Sequence, residues 1–210
     1  MPSYRAPIRD QRFVLNDVLN VQQYSNLPGF SDASADIVDA ILEEGGKFCE
    51  NVLYPLNKVG DHEGCRLQPD GEVVVPNGFK EAYDQLTEGG WTALSADPEY
   101  GGQGLPHYLN LAFNEMVTAT NMAFGMYPGL TGGAAQALHV GGSDEQKQLY
   151  LPKMISGEWS GTMNLTEPHC GTDLGMLRTK AVPNGDGTYK ISGQKIWISA
   201  GEHPMSQNII

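Results

Sequence analysis

Two threonines, a glycine, a tryptophan and a serine are the residues of this chain best suited to chemistry. They lie in MNLTEPHCGTDLGMLRT, from Met163 to Thr179, and in KIWIS, from Lys195 to Ser199. Thr166 and Thr172 each offer a donor and an acceptor, and each stands beside a carboxylate, Glu167 or Asp173. Gly171 between them lets a ligand or another backbone come close. Backbone N–H groups in such a loop can cradle phosphate oxygens. KIWIS alternates like a strand, and period two then puts Trp197 and Ser199 on one face. An indole beside a hydroxyl suits a flat heteroaromatic ring with polar edges, one stacking and the other bonding. The residue types leave a plainer reading open: a core tryptophan and a surface serine on an ordinary strand.

The elements that must position these residues are mostly helical. FVLNDVLNV suits a short helix closed by Pro28-Gly29. From Ser34 the pattern is helical, with Ile37, Ile41, Phe48 and Val52 on one stripe and Val38, Leu42, Cys49 and Leu53 beside it. Gly45-Gly46 weakens that helix or admits another backbone, and Pro55 bends or ends it. VGDHEGCRLQPDGEVVVPNG reads as loop, and a helix carrying Phe79, Tyr83 and Leu86 runs to Gly89-Gly90. After the glycine-rich loop ADPEYGGQGLP come two apolar helices, about 107–121 and 129–139. Ser143 and Gln146 form a capping box that opens a short helix from Asp144 to about Leu151, and Pro152 starts another turn. AVPNGDGTYKI predicts a hairpin through its Asn-Gly and Asp-Gly turns, and NII at the end reads as the beginning of a strand.

Composition narrows the function classes. The 210 residues carry 13 Lys and Arg against 25 Asp and Glu, a net charge of -12. The cations form no cluster, so a nucleic-acid partner is not expected. Three scattered cysteines, with no CxxC pair, suit reduced thiols in a cytoplasmic protein rather than a disulfide framework or a zinc site. His62, Glu63 and Cys65 lie close together but lack HExxH spacing, so no metal is expected. There is no GxSxG for a serine hydrolase. The glycine loop Tyr100–Gly104 is not a GxGxxG dinucleotide fingerprint. Neither a signal-peptide core nor a run of membrane-spanning length is present, so no membrane insertion is expected.

Four stretches carry a resemblance. LTEPHCGTD, GQKIWISAG, PEYGGQGL and SDEQKQLYLPKMISGEWSG resemble the acyl-CoA dehydrogenases, in that family's order and spacing, over about residues 80–205. CGTDLGMLRTKA and ISAGEH are most similar to its 3-methylmercaptopropionyl-CoA dehydrogenase group. The chain departs from the family's usual small residues at Asn164, Cys170 and Met176.

The resemblance implies an α+β fold: an extension over 1–33, an all-helical N-terminal domain over 34–159, and the start of a middle β-barrel domain over 160–210. The family's C-terminal four-helix domain, with its catalytic glutamate, is absent from this chain. The chain is therefore expected to be an N-terminal portion, inactive by itself and without a catalytic base. The implied cofactor is FAD. Met163, Leu165 and Thr166 would contact the flavin ring, with Gly171 in the same loop. Thr172 would lie near the pyrophosphate and the thioester, and Trp197 and Ser199 against the isoalloxazine. Glu167 and Asp173 would fix the loop by local hydrogen bonds. Tyr127, in the segment 122–131, would lie near the wall of the acyl pocket. The implied reaction is α,β-dehydrogenation of an acyl-CoA, in fatty-acid or dimethylsulfoniopropionate breakdown. An electron-transferring flavoprotein would be the acceptor, and the whole enzyme a homodimer or homotetramer. An acyl-CoA oxidase relative and a flavin-free helical scaffold are the alternatives.

Overall fold

The computed structural model describes residues 3–210. Its first two-thirds are helical. Helix α1 (Ile8–Arg12) runs into a π turn, Phe13–Val18, and a short 3₁₀ turn, Val21–Tyr24, follows. The expected helix in FVLNDVLNV is thus partly a π turn, and it stops before Asn20, whose φ of 47° is left-handed, rather than at Pro28-Gly29. Arg12 reaches Asp39 and Glu43 at 2.7 and 2.6 Å, which fastens α1 to α2 (Ala35–Phe48).

Ser34 caps α2 by accepting from the N–H of Ile37. Gly45 in its last turn is a point of close approach: a Cβ there would lie 2.9 Å from the Phe113 ring. Pro55 neither ends nor breaks this helix. A π turn, Cys49–Leu53, carries it into α3 (Tyr54–Glu63), with Pro55 in the first turn of α3. The stretch expected to be loop therefore begins as the last turns of α3. It ends in a short antiparallel pair, β1 (Arg66–Leu67) with β2 (Val73–Val74).

Helix α4 (Phe79–Glu88) buries Phe79, Ala82, Tyr83 and Leu86. The loop after it folds on itself. Gly104 N bonds to Ala96 O, and a Cβ on Gly102 would sit 2.0 Å from that same oxygen, so the glycine is there for backbone approach.

Helix α5 (His107–Gly141) replaces the two expected helices. Its first part does turn at Asn121, where φ and ψ are -156° and 82°. The second part starts at once, not at Gly129. The Asn121 side chain accepts from Phe124 N at 3.0 Å, as an N-cap would, and donates to Leu53 O at 3.3 Å. Pro128 is carried inside this second part. Helix α6 (Asp144–Ile155) opens on the expected capping box and runs through Pro152 to Ile155.

The main core lies between α2, α4 and α5. Leu53, Phe79, Tyr83, Phe113, Met116 and Phe124 are buried in it, and Trp91 stacks on Phe113 with ring centroids 4.4 Å apart. Each such large side chain contributes about 1.5–3 kcal/mol. The buried Tyr83 hydroxyl donates to Gly157 O at 3.1 Å, and burial pushes that phenol up to about 12.

After α6 the chain turns extended. Strand β3 (Trp159–Ser160) pairs in parallel with β6 (Asn208–Ile209), so the final NII does begin a strand. Between them, β4 (Lys180–Pro183) and β5 (Tyr189–Ser192) form the expected hairpin, with Ala181 opposite Ile191. KIWIS is not a strand. Trp197 and Ala200 have φ of 56° and 54°, which breaks the alternation. All three cysteines are free thiols. Among the described residues no helix is long and apolar enough to cross a membrane.

Candidate functional site

Residues 195–206 run back along 160–167 and are fastened to them rung by rung. Lys195 Nζ lies 2.9 Å from a Glu167 oxygen, and Ile196 N donates to Thr166 O at 3.0 Å. The Thr162 hydroxyl donates to Ser199 O at 2.5 Å. His203 Nε2 and Ser206 Oγ both reach Ser160 Oγ, at 3.1 and 2.9 Å. These rungs, rather than a β ladder, bring the two sequence motifs together. Trp197 and Ala200 stay in left-handed backbone, which costs non-glycine residues about 1–3 kcal/mol each and persists only where the surroundings enforce it.

Glu167 is the hub of the loop. It is 3% exposed. Oε1 accepts from Lys195 Nζ and from Thr179 N at 3.0 Å, and Oε2 accepts from Arg178 N at 2.8 Å. Its backbone exchanges two bonds with Cys170, 2.9 and 3.1 Å long, closing the Thr-Glu-Pro turn. Lys195 and the amide donors hold this carboxyl well below its ordinary range. A carboxylate so saturated is a strut, not a base. Asp173 has the same kind of task, accepting from Gly175 N at 3.1 Å. Glu167, His169 and Cys170 place ligand-type atoms within 4.8 Å of one another. But His169 Nε2 must donate to Met176 O at 2.9 Å, and the Glu167 oxygens are already engaged. Glu63 and Cys65 are likewise occupied: Glu63 accepts from Asn77, and Cys65 meets the Tyr127 hydroxyl at 3.6 Å.

The residues expected to face a cofactor are left available. Gly171 lies against Thr166, where an added Cβ would meet Thr166 Cγ2 at 3.6 Å. Trp197 is 84% exposed and Met163 57%, a large apolar surface on so small a loop. Leu165 and Thr166 are half-buried, while Thr172 and Ser199 are exposed. Among the described residues the hydroxyls of Thr166, Thr172 and Ser199 have no protein partner. Free hydroxyls around an uncovered indole and thioether fit a planar heteroaromatic ring with polar edges. Trp197 and Ser199 do not share a strand face. Their setting comes from a turn.

Tyr127 faces elsewhere. Its hydroxyl is against Cys65, and its ring stands edge-on to His203, with centroids 5.0 Å apart. Burial raises its phenol far above the ordinary value. Its neighbours Pro128 and Gly129 line a cavity of about 880 Å³ between the two parts of α5, α6 and the glycine loop. Thr131 and Met154 line it too, and both also touch Gly161, where the clasp begins.

A family model, "Acyl-CoA dehydrogenase, N-terminal domain", matches residues 39–158. The chain belongs to the acyl-CoA dehydrogenase family. It is 49% identical over 208 residues to the 3-methylmercaptopropionyl-CoA dehydrogenase of Ruegeria pomeroyi, covering 99% of this chain and 35% of that protein. A butyryl-CoA dehydrogenase of Syntrophomonas wolfei is 35% identical over 212 residues, with the same two coverages. An acyl-CoA dehydrogenase from Bacillus anthracis, solved in complex with FAD, superposes with a TM-score of 0.63 at 26% identity, over 80% of this chain and 27% of that one. The chain thus spans about a third of the length of these acyl-CoA dehydrogenases.

Sequence reasoning passed over Lys195, Ser160 and His203. Lys195 carries a signal, a lone cation in an apolar strand-like run downstream of Thr-Glu-Pro. Ser160 and His203 carry none, because their partnership depends on the register of two distant segments.

Proposed function

We propose that this chain supplies the flavin-facing loop and part of the acyl cavity of an FAD-dependent acyl-CoA dehydrogenase, which desaturates an acyl-CoA thioester between the α and β carbons. The observation that carries the reading is the clasp: two motifs held together by polar rungs around the buried Glu167, presenting free hydroxyls and an uncovered indole. When bound, the flavin supplies the hydride acceptor of the reaction. The chain's residues bind and orient it. Met163, Leu165 and Thr166 meet the ring, Gly171 and Thr172 take the pyrophosphate side, and Trp197 and Ser199 cover the ring face. Thr172 also approaches the thioester. The segment 122–131, through Pro128 and Gly129, walls the acyl chain. Tyr127 supports that wall from behind.

In this reading 1–33 is an extension, 34–159 the helical domain and 160–210 the opening of a middle β domain. The name of the relative at 49% identity supports a short thioether acyl chain such as 3-methylmercaptopropionyl. The electron-transferring flavoprotein acceptor and the homo-oligomer rest on the family alone, and the cytoplasmic location on the three free, scattered cysteines. The test is anaerobic addition of 3-methylmercaptopropionyl-CoA to the flavin-loaded product of the longest reading frame that carries this chain. Rapid bleaching of the visible flavin band is the expected result. A flavin that only longer or branched acyl-CoAs bleach removes the thioether assignment. A folded protein that takes up no flavin removes the whole reading.

A further inference from the structure

Segment 195–210 is mostly exposed, yet His203 within it is 3% exposed and Ser160 beneath it 1%. Both imidazole nitrogens are engaged. Nδ1 lies 3.2 Å from Met205 N, which can only donate, so Nδ1 must accept and carries no proton. The proton of the neutral ring is then on Nε2, 3.1 Å from Ser160 Oγ. The direction continues by elimination. Ser206 Oγ donates to Asn208 O at 3.1 Å, so its lone pairs take the proton of Ser160, 2.9 Å away. A one-way chain of donors thus runs from the ring to a backbone carbonyl of β6. On its other side the ring meets Tyr127 of α5 edge-on, with ring planes at 85°.

We propose that His203, as the neutral Nε2–H tautomer, is the positioning residue that sets the Trp197–Ala200 turn against the flavin and links that turn to the acyl-wall helix through Tyr127. This rests on the flavin reading above. The turn has two outer fastenings, Thr162 to Ser199 O and His203 to Ser160. The second also sets the imidazole against Tyr127 of α5, and Met205, two residues on, is buried in the core beside Phe124. The imidazole therefore holds the ring-covering indole in register with the segment that walls the acyl chain.

Protonation defeats the arrangement. A protonated Nδ1 becomes a donor facing the Met205 N–H, and the two repel. Tyr127 on α5, with Cys65 behind it, and Glu202 on the loop itself are the titratable groups around the ring, and β3 meets it with the Ser160 hydroxyl. Burial outweighs Glu202 and lowers the ring's pKa below the ordinary 6.5. A depressed histidine contributes its full stability above the unfolded value and loses it as pH falls from there through the folded value.

Nitrogen-15 spectra of the full chain, labelled at its imidazoles, test the tautomer directly. The expected result is a His203 fixed as Nε2–H and still neutral at the ordinary histidine value of about 6.5. A proton on Nδ1, or titration at or above that ordinary value, overturns the proposal. The second measurement follows flavin bleaching by acyl-CoA against pH in the flavin-loaded protein. His203→Asn keeps the acceptor for Met205 N but cannot reach Ser160. His203→Gln keeps a donor toward Ser160 but cannot titrate. Both are expected to slow bleaching by about 10–100-fold, the scale of a misplacement near 1 Å, with thioester affinity little changed. His203→Gln should also erase the fall in rate below the ordinary histidine range. Wild-type rates and an unaltered acid limb in both variants overturn the proposal. A wild-type protein that takes up no flavin, or that no acyl-CoA bleaches, refutes the functional reading instead, and the tautomer spectra still decide on His203.

Discussion

The helical region and the clasp are stabilised in opposite ways. Between Ala35 and Ile155, large side chains such as Leu42, Leu53, Phe124 and Met154 are buried at 1% exposure or less. Between Gly161 and Ala200 the one residue of the buried class beyond Gly161 itself is Glu167, a charged group. The first region follows from apolar burial. The second is a frame of polar rungs around one carboxylate, with its apolar side chains turned outward. In the proposed reading a flat cofactor covers the indole. The proposed site then lies where the core is thinnest, on a loop held by a rigid scaffold.

The contrast can be broken at its polar hub. Glu167→Ala removes the acceptor for Lys195 Nζ, Arg178 N and Thr179 N together. Flavin affinity is expected to fall about 100-fold or more, as for other misplaced sites, while the helical circular-dichroism melt stays near wild type. Equal loss in both signals would merge the two regions into one unit. Phe124→Ala is the converse. It empties a fully buried core position, and denaturant titration should show a loss of about 3–5 kcal/mol, with Lys195 and Glu167 undisturbed.

Smaller effects sharpen the boundary. Asn121→Ala leaves Leu53 O and Phe124 N without their partner, a cost of about 1–3 kcal/mol in the same titration. Ser143→Ala removes half of the capping box of α6, about 1 kcal/mol. Acid offers a graded version of the Glu167 substitution. Its carboxyl is depressed in the fold, so its contribution is full above the ordinary 4.5 and drains away as pH falls toward the folded value. Trp197 emission followed through that window should change before the far-ultraviolet helical signal does.

What was legible in the sequence follows the same divide. The stripes of α2 and α4, the capping box of α6 and the β4–β5 hairpin are local patterns, read from periods and turn residues. The passage of α3 and α5 through Pro55 and Pro128 was not legible. Pro55 follows a π turn, and Pro128 lies inside a helix that restarts at an asparagine which caps it while bonding to the other helix. KIWIS misled because alternation states a preference, whereas a strand needs a neighbour. Ile196 makes a single rung to Thr166, and the turn at Trp197 takes the rest. The clasp residues were named by family resemblance. The rungs that hold them, Lys195 to Glu167 and His203 to Ser160, join positions 28 and 43 apart in the chain, beyond the reach of any local pattern.

The bond from Asn121 to Leu53 O joins the kink of α5 to the π turn ahead of α3. A π turn holds one residue more than an α turn, so everything after it is rotated by about 100°. The two irregularities therefore act as a phase lock between helices. Removing one residue from Cys49–Leu53 would return the helix to α phase and swing the far end of α3 around its own axis. Cys65, just past that end, would be carried away from Tyr127, and the cavity that Pro128 and Gly129 line would change from a distance.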